Sequence, residues 1–283
     1  MRLIDLNHFG VARAIGVWQI GDALVDCGPT SCVERLLEEL DDWRPRALLL
    51  THIHLDHAGA AGTLAGLWPD VEIYVHERGA RHLVDPERLN DSVRRILGDL
   101  TETLWGDVEP VPPQRLRPLV GGEQLGDIAV AYTPGHASHH VAFLHGEGCA
   151  FVGDAVGVRI SPPDVVVPHA PPPDIDLPAW ERTLDIARDW QPAALALPHF
   201  GLVNDALDHL EEFEKLLHRD ADRARDGSVD EFVTQREPRL AGLDEPTQRA
   251  YRHAAPAPHS HAGLVRYWDE RPEAEASAAG SGR

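Results

Sequence analysis

The apolar run Ala47-Leu48-Leu49-Leu50 is followed almost at once by His52-Ile53-His54-Leu55-Asp56-His57, which puts four metal-ligand side chains into six positions. No other feature constrains the chain as much. A buried strand has to end here, and the loop that leaves it must aim several side chains at one point. His52 and His54 are two residues apart, so an extended backbone sends both to one side. Imidazole and carboxylate donors suit zinc, iron or manganese, and a catalytic site keeps one coordination position open for water. The competing reading is a solvated polar loop in a chain with 17 histidines.

The same arrangement recurs downstream. Thr133-Pro134-Gly135-His136 leaves the apolar segment 128–132, Gly153-Asp154 leaves 149–152, and Pro198-His199-Phe200-Gly201 leaves 193–197. In each case a ligand-type side chain follows a strand pattern, with Gly or Pro beside it to turn the chain. Ligand groups at successive strand ends collect in one crevice of an open α/β architecture.

The remaining pattern supplies the frame. Segments 3–6, 14–20 and 23–26 read as strands, with Gly21-Asp22 as a hairpin turn. A helix is expected from Ser31 to about Trp43, with Val33, Leu36, Leu37 and Leu40 on its buried face and Pro45 closing it. A second helix is expected to open at Ala58, a strand at 71–75, and a short helix at 77–84. Residues 86–113, with Val93, Ile96, Leu97 and Leu100 on one helical face, form a long excursion that suits a lid. A second strand-rich block spans 116–152. The stretch 161–178 is too rich in proline for a central strand. A helix at 179–190 and a strand at 193–197 complete this half. Two strand blocks, each followed by helices, imply two sheets back to back with helices outside. Beyond Leu202 the chain reads as helical, with Leu207, Leu210, Phe213, Leu216 and Leu217 on one face, and from Pro272 as a disordered tail.

Thr51-His52-Ile53-His54-Leu55-Asp56-His57-Ala58-Gly59, Thr133-Pro134-Gly135-His136-Ala137-Ser138-His139-His140, Phe151-Val152-Gly153-Asp154 and Pro198-His199 together resemble the metallo-β-lactamase-fold superfamily. Leu24-Val25-Asp26-Cys27-Gly28 resembles its early Asp-x-Gly turn. The resemblance implies an α/β fold, a four-layer αββα sandwich over residues 1–201, with a helical extension at 202–271 and the tail at 272–283. It also implies two divalent metal ions, zinc first and iron or manganese as alternatives. One would sit on His52, His54 and His136, the other on Asp56, His57 and His199, with Asp154 bridging. Asp56 would orient a metal-bridging hydroxide. His140 and His169 are supporting or substrate-side candidates. His139 stands where thioesterase members often have glycine, a departure from the hydroxyacylglutathione hydrolase pattern.

Within that frame the expected function is hydrolysis of a small ester, thioester or lactone. The alternatives are a phosphodiesterase or nuclease of the same fold and an iron-dependent oxidoreductase resembling persulfide dioxygenases. The net charge of −20, with Lys215 as the only lysine, disfavours polynucleotides, which need cations to displace counterions. Antibiotic cleavage is disfavoured because the drug-cleaving members usually carry cysteine where Asp154 stands. No 18-residue apolar stretch occurs, so no membrane partner is expected. The first residues lack a leader pattern, and three cysteines without a paired motif do not suggest a disulfide framework, so a cytoplasmic location is expected. His8, His253, His259 and His261 have no partner assignable from sequence, and self-association is left open.

Overall fold

Alternation along the strands decides the architecture of the computed structural model, which describes residues 1–97, 104–162 and 164–271. The first sheet runs β1 (Arg2–Asp5), β2 (Gly16–Ile20), β3 (Ala23–Val25), β4 (Ala47–Leu49), β5 (Glu72–His76) and β6 (Leu116–Leu119), neighbour beside neighbour. β1 to β3 are antiparallel, and β3 to β6 are parallel. The second sheet has the order β14 (Gly201–Val203), β13 (Ala194–Leu197), β10 (Cys149–Phe151), β9 (Val141–His145), β8 (Ile128–Tyr132) and β7 (Gln124–Leu125). β11 (Val158–Ile160) and β12 (Val165–Val167) form a separate two-stranded ribbon.

On the first sheet, Trp18, Ile20, Val25 and Leu49 point inward to meet Val130, Val141, Phe143 and Phe151 of the second. Their sequence neighbours Val17, Leu24, Leu48 and Ile73 point outward. There they are covered by α1 (Val33–Leu40), α3 (Ala61–Leu67), α4 (Glu77–Val84) and α9 (Glu245–Ala254). Ala150, Leu195 and Leu197 on the far side of the second sheet pack under α6 (Leu177–Asp189), α7 (Ala206–Asp226), α8 (Val229–Arg236) and α10 (Ala257–Asp269). The period of two thus produces four layers, helix–sheet–sheet–helix. Burying each of Phe143 and Phe151 between the sheets contributes roughly 1.5–3 kcal/mol.

Several elements differ from the sequence reading. Leu116–Leu119 belongs to the first sheet, parallel to β5, and not to the second strand block. The first helix stops at Leu40, where Asp41 takes φ 51°, well before Pro45. The turn after the histidine cluster winds earlier than expected, as α2 (Leu55–Ala58), and breaks at Gly59–Ala60 before α3 begins. A Cβ at Gly59 would lie 2.5 Å from the Leu55 carbonyl oxygen and 3.1 Å from Pro29 Cα, so only glycine lets these segments cross. Asp56 and His57 consequently sit on a helical turn. Among its described residues, the proline-rich stretch contributes β12, outside both main sheets, and the first turn of α6, which opens at Leu177. Within the 86–113 excursion, α5 (Glu87–Leu97) is helical. Residues 98–103 and the expected tail lie outside the described residues.

Candidate metal centre

Strand direction explains why the ligand candidates meet. β3 and β4 are parallel, β10 and β13 are parallel, and β8 shares their direction because both β8 and β10 are antiparallel to β9. The C-terminal ends of all of these strands therefore face one edge of the sandwich. Asp26 follows β3, the 52–57 cluster follows β4, His136 follows β8, Asp154 follows β10 and His199 follows β13. A hydrogen bond from Val141 N–H to the Thr51 carbonyl (2.8 Å) links the two sheets beside the cluster.

All seven expected residues converge there. Donor atoms form three groups, each with its atoms within 4.8 Å of one another: His52, His54 and His136; His52, His57 and Asp154; and Asp56, His57 and His199. His52, His57, His136 and His199 are fully buried, and Asp154 is 1% exposed. Asp56 and His54 are the partly exposed members, so the opening to solvent lies on their side.

Hydrogen bonding on the outer nitrogens sets the inner ones. Nδ1–H of His57 donates to Asp26 Oδ2 (2.8 Å), that of His136 to the His169 carbonyl (3.1 Å), and that of His199 to the Ala14 carbonyl (2.5 Å). The Thr51 hydroxyl donates to Asp26 and so accepts from His52 Nδ1–H (3.1 Å). With those protons placed outward, the inner Nε2 atoms of the neutral rings are the ones that present lone pairs. His52 Nε2 and His136 Nε2 each lie 3.0 Å from His54 Nδ1, and His57 Nε2 lies 3.3 Å from His199 Nε2. Ring nitrogens facing at such distances need a proton or a metal ion between them. Two ligands held at about 2.0–2.1 Å in a tetrahedron are about 3.3 Å apart, so the spacing fits a metal. The Asp154 carboxylate adds a second observation. Both of its oxygens are buried without a hydrogen-bond partner, Oδ1 3.3 Å from the Nε2 atoms of His57 and His199, Oδ2 3.5 Å from that of His136. A buried carboxylate left so bare is costly unless a cation takes its lone pairs.

The electrostatics agree. Burial pushes His52 and His136 well below the usual histidine range, and the adjacent rings lower His52 further. At His57 burial is outweighed by Asp56, Asp154 and Asp26, and at His199 by Asp154 and Asp56, which raise it to about 10. Burial opposes ionisation of Asp56 and Asp154, yet His57 and His199 hold both well below the usual carboxylate range. This corner of the site favours positive charge strongly.

Around the donors lies a supporting layer. Asp26, 2% exposed, accepts from Thr51 N–H (2.8 Å), the Thr51 hydroxyl and His57. It fixes the tautomer and direction of His57, and loss of such a partner typically costs 10–100-fold in metal affinity. Asp26→Ala is expected to weaken metal binding by about that factor, read by competition with a chelator. Unchanged affinity would remove Asp26 from the account. His140 is buried with Nδ1 2.8 Å from the Thr133 hydroxyl, and burial lowers it to about 3. Its Nε2 approaches Gly153, where a Cβ would lie 2.6 Å from that nitrogen and 2.7 Å from Thr51 Oγ1, and Gly153 holds φ 47°. Gly153→Ala should therefore cost more than about 2 kcal/mol, as strain plus overpacking. An unshifted denaturant midpoint would refute this. His169 is buried, not overhanging in solvent, and it acts on the cluster through its carbonyl. His139 has no left-handed φ, so its position does not require glycine.

Sequence reasoning gave Asp26 too little weight. Its signal was an acidic residue in a Gly-containing turn at the end of β3. His8 and His253 are 245 positions apart, with no local pattern to join them, yet their ring nitrogens are 2.7 Å apart. Trp105 stacks on His8 at 5.0 Å.

The sequence profile of the Metallo-beta-lactamase superfamily matches residues 21–199. A metallo-beta-lactamase fold-containing protein of Sulfurisphaera tokodaii is 28% identical over 200 residues, covering 67% of this chain and 73% of the relative. A hydroxyacylglutathione hydrolase of Cronobacter sakazakii is 39% identical over 97 residues, covering 31% of this chain and 38% of that protein. The chain spans less than half the length of each hydroxyacylglutathione hydrolase described as similar to it. Among solved structures, an archaeal superfamily protein from Sulfolobus tokodaii superposes with a TM-score of 0.66 at 23% identity, over 89% of this chain and 93% of that one. TTHA1623, solved in a di-iron-bound form, gives 0.54 at 26% identity, over 69% and 91%. With that profile spanning the strands and donors described above, the chain belongs to the metallo-beta-lactamase superfamily.

Proposed function

We propose that the chain is a binuclear metal-dependent hydrolase of a small ester, thioester or lactone. The observation that carries this reading is the bare, buried Asp154 carboxylate set between two trios of nitrogen and oxygen donors. His52, His54 and His136 would hold one ion, and Asp56, His57 and His199 the other, with Asp154 between them. When bound, two such ions supply Lewis acidity and lower the pKa of a shared water from 15.7 towards about 7.

The residues divide the rest of the work. Asp56 is held ionised and its side chain is 19% exposed, so it can accept a hydrogen bond from a water entering beside His54 and orient it. Asp154 is sealed from solvent and serves charge balance. Thr51, Asp26 and the carbonyls of Ala14 and His169 aim the imidazoles, so no reorganisation is needed during reaction.

Zinc is the first choice for this donor set. The di-iron form of TTHA1623 supports iron and keeps an iron-dependent oxidoreductase as the second reading. Cys27, Cys32 and Cys149 are free and buried, which supports a reducing, cytoplasmic setting. Among the described residues, no helix is long and apolar enough to cross a membrane. The test is to strip the metal and restore zinc or iron against a panel of lactone, thioester and phosphodiester probes. Ester-type hydrolysis that returns with metal is the expected result. Oxygen consumption without hydrolysis would favour the second reading.

A further inference from the structure

A cleft of about 680 Å³ opens beside the candidate centre, with His54 in its wall. Arg78, Arg81 and Arg88, from α4 and α5, line it together. In a chain of net charge −20, where several other arginines pair with acids, as in Arg117–Glu72, Arg159–Asp205 and Arg252–Glu237, three arginines gathered on one wall stand out. Among the described residues, none of the three pairs with a carboxylate. Arg78 instead donates to the Tyr132 hydroxyl (3.1 Å), which in turn donates to the Ser138 carbonyl (2.9 Å), two residues beyond His136. Arg81 donates to His82 Nε2 (3.2 Å).

Two acids share the wall. Asp174 is already engaged by the Ser138 hydroxyl (2.6 Å), and Glu77 lies in the first turn of α4. Three guanidinium groups thus face two carboxylates, one of them occupied. Burial lowers the His82 imidazole, and Arg81 and Arg88 lower it further. Among the described residues the cleft thus gathers positive charge beside the donors, and guanidinium forks match carboxylate or phosphate oxygens.

We propose that this cleft binds an anionic group of the substrate, a carboxylate or phosphate, with Arg81 and Arg88 as specificity-determining residues and Arg78 as the fixed third contact. The proposal deepens the hydrolase reading and rests on it for the reacting bond, but the anion site itself can be tested without turnover.

The experiment pairs succinyl and butyryl thioesters of one thiol, which differ in a single carboxylate, with isothermal calorimetry of N-butylsuccinamate on the metal-free protein. The expected result is kcat/KM at least about tenfold higher for the succinyl substrate, expressed mainly in KM. In Arg81→Gln/Arg88→Gln the ratio should fall towards one and succinamate binding should weaken about tenfold. Arg81→Lys/Arg88→Lys should restore part of both, which separates charge from packing. Equal kcat/KM values in the parent protein, or a ratio that survives the double Gln change, would overturn the proposal. If neither thioester turns over, calorimetry decides: arginine-dependent succinamate binding sustains the anion site while the hydrolase reading fails, and absent binding overturns the anion site itself.

Discussion

Replacing Asp154 with alanine is expected to lower kcat/KM by roughly a thousandfold, and to bring metal content below two ions per chain. Two imidazoles on one side and one on the other approach its oxygens at 3.3–3.5 Å, so among the described residues it is the carboxylate placed to serve both donor trios. In the proposed binuclear centre, its loss would take a ligand from each ion and leave two positive charges facing one another with less compensation. About 4 kcal/mol of lost transition-state stabilisation corresponds to that factor. The carboxylate makes no hydrogen bond within the site, but its charge acts on His57 and His199, so stability is read separately. An unfolding midpoint for the metal-free variant close to that of the parent would separate chemistry from stability. Hydrolysis within tenfold of the parent value would contradict the assignment.

The second large effect lies far from the chemistry. Arg236 is 6% exposed and Asp220 1%. Arg236 Nε and Nη2 both donate to Asp220 Oδ2, at 2.9 and 2.7 Å, while Nη2 also donates to the Pro168 carbonyl at 2.6 Å. Arg236→Ala would strip the buried Asp220 of its two hydrogen-bonded contacts and leave it, among the described residues, only Arg223 Nη1, 3.8 Å from Oδ1, and breaking such a pair costs about 3–5 kcal/mol. Urea unfolding of the metal-free protein reads this directly. A loss below about 1 kcal/mol would show that the pair behaves as a surface pair does. Replacing both residues together with apolar side chains of similar volume should recover most of the loss, since the desolvation penalty then disappears. The same arginine has a functional reach. Pro168 precedes His169, whose carbonyl orients His136, and the Ser260 hydroxyl accepts from Ala170 N–H at 3.3 Å. The C-terminal helices thus hold the loop that aims one of the donors.

How far the sequence could be read depends on whether the information was local. His52, His54, Asp56 and His57 announced themselves because they sit within six residues after a strand. His136, Asp154 and His199 were legible because each follows an apolar strand pattern with Gly or Pro at the turn. The layered architecture was legible because two strand blocks are each followed by helices, whereas the burial of Val17 and Leu48 on one face and Trp18 and Leu49 on the other is read from the structure. Non-local pairings were not legible in this way. Leu116–Leu119 carries a strand pattern, but nothing in it states that its partner is β5. Helix boundaries moved where backbone crossings, as at Gly59, overrode side-chain periodicity. The His8–His253 contact and the Arg236–Asp220 pair join distant segments, and the Arg78, Arg81 and Arg88 cleft exists only because α4 and α5 fold against the ligand loops. Asp26 lies between these cases, with a recognisable turn but a role set by Thr51 and His57, which lie 25 and 31 residues away.

The most direct test is to count metal while activity returns. Stripped protein is titrated with zinc, with elemental analysis and hydrolysis of a responsive thioester or lactone probe followed together. The account predicts a plateau at two ions per chain. Full activity with one ion bound, or with none, would contradict the pairing of the two donor trios across Asp154.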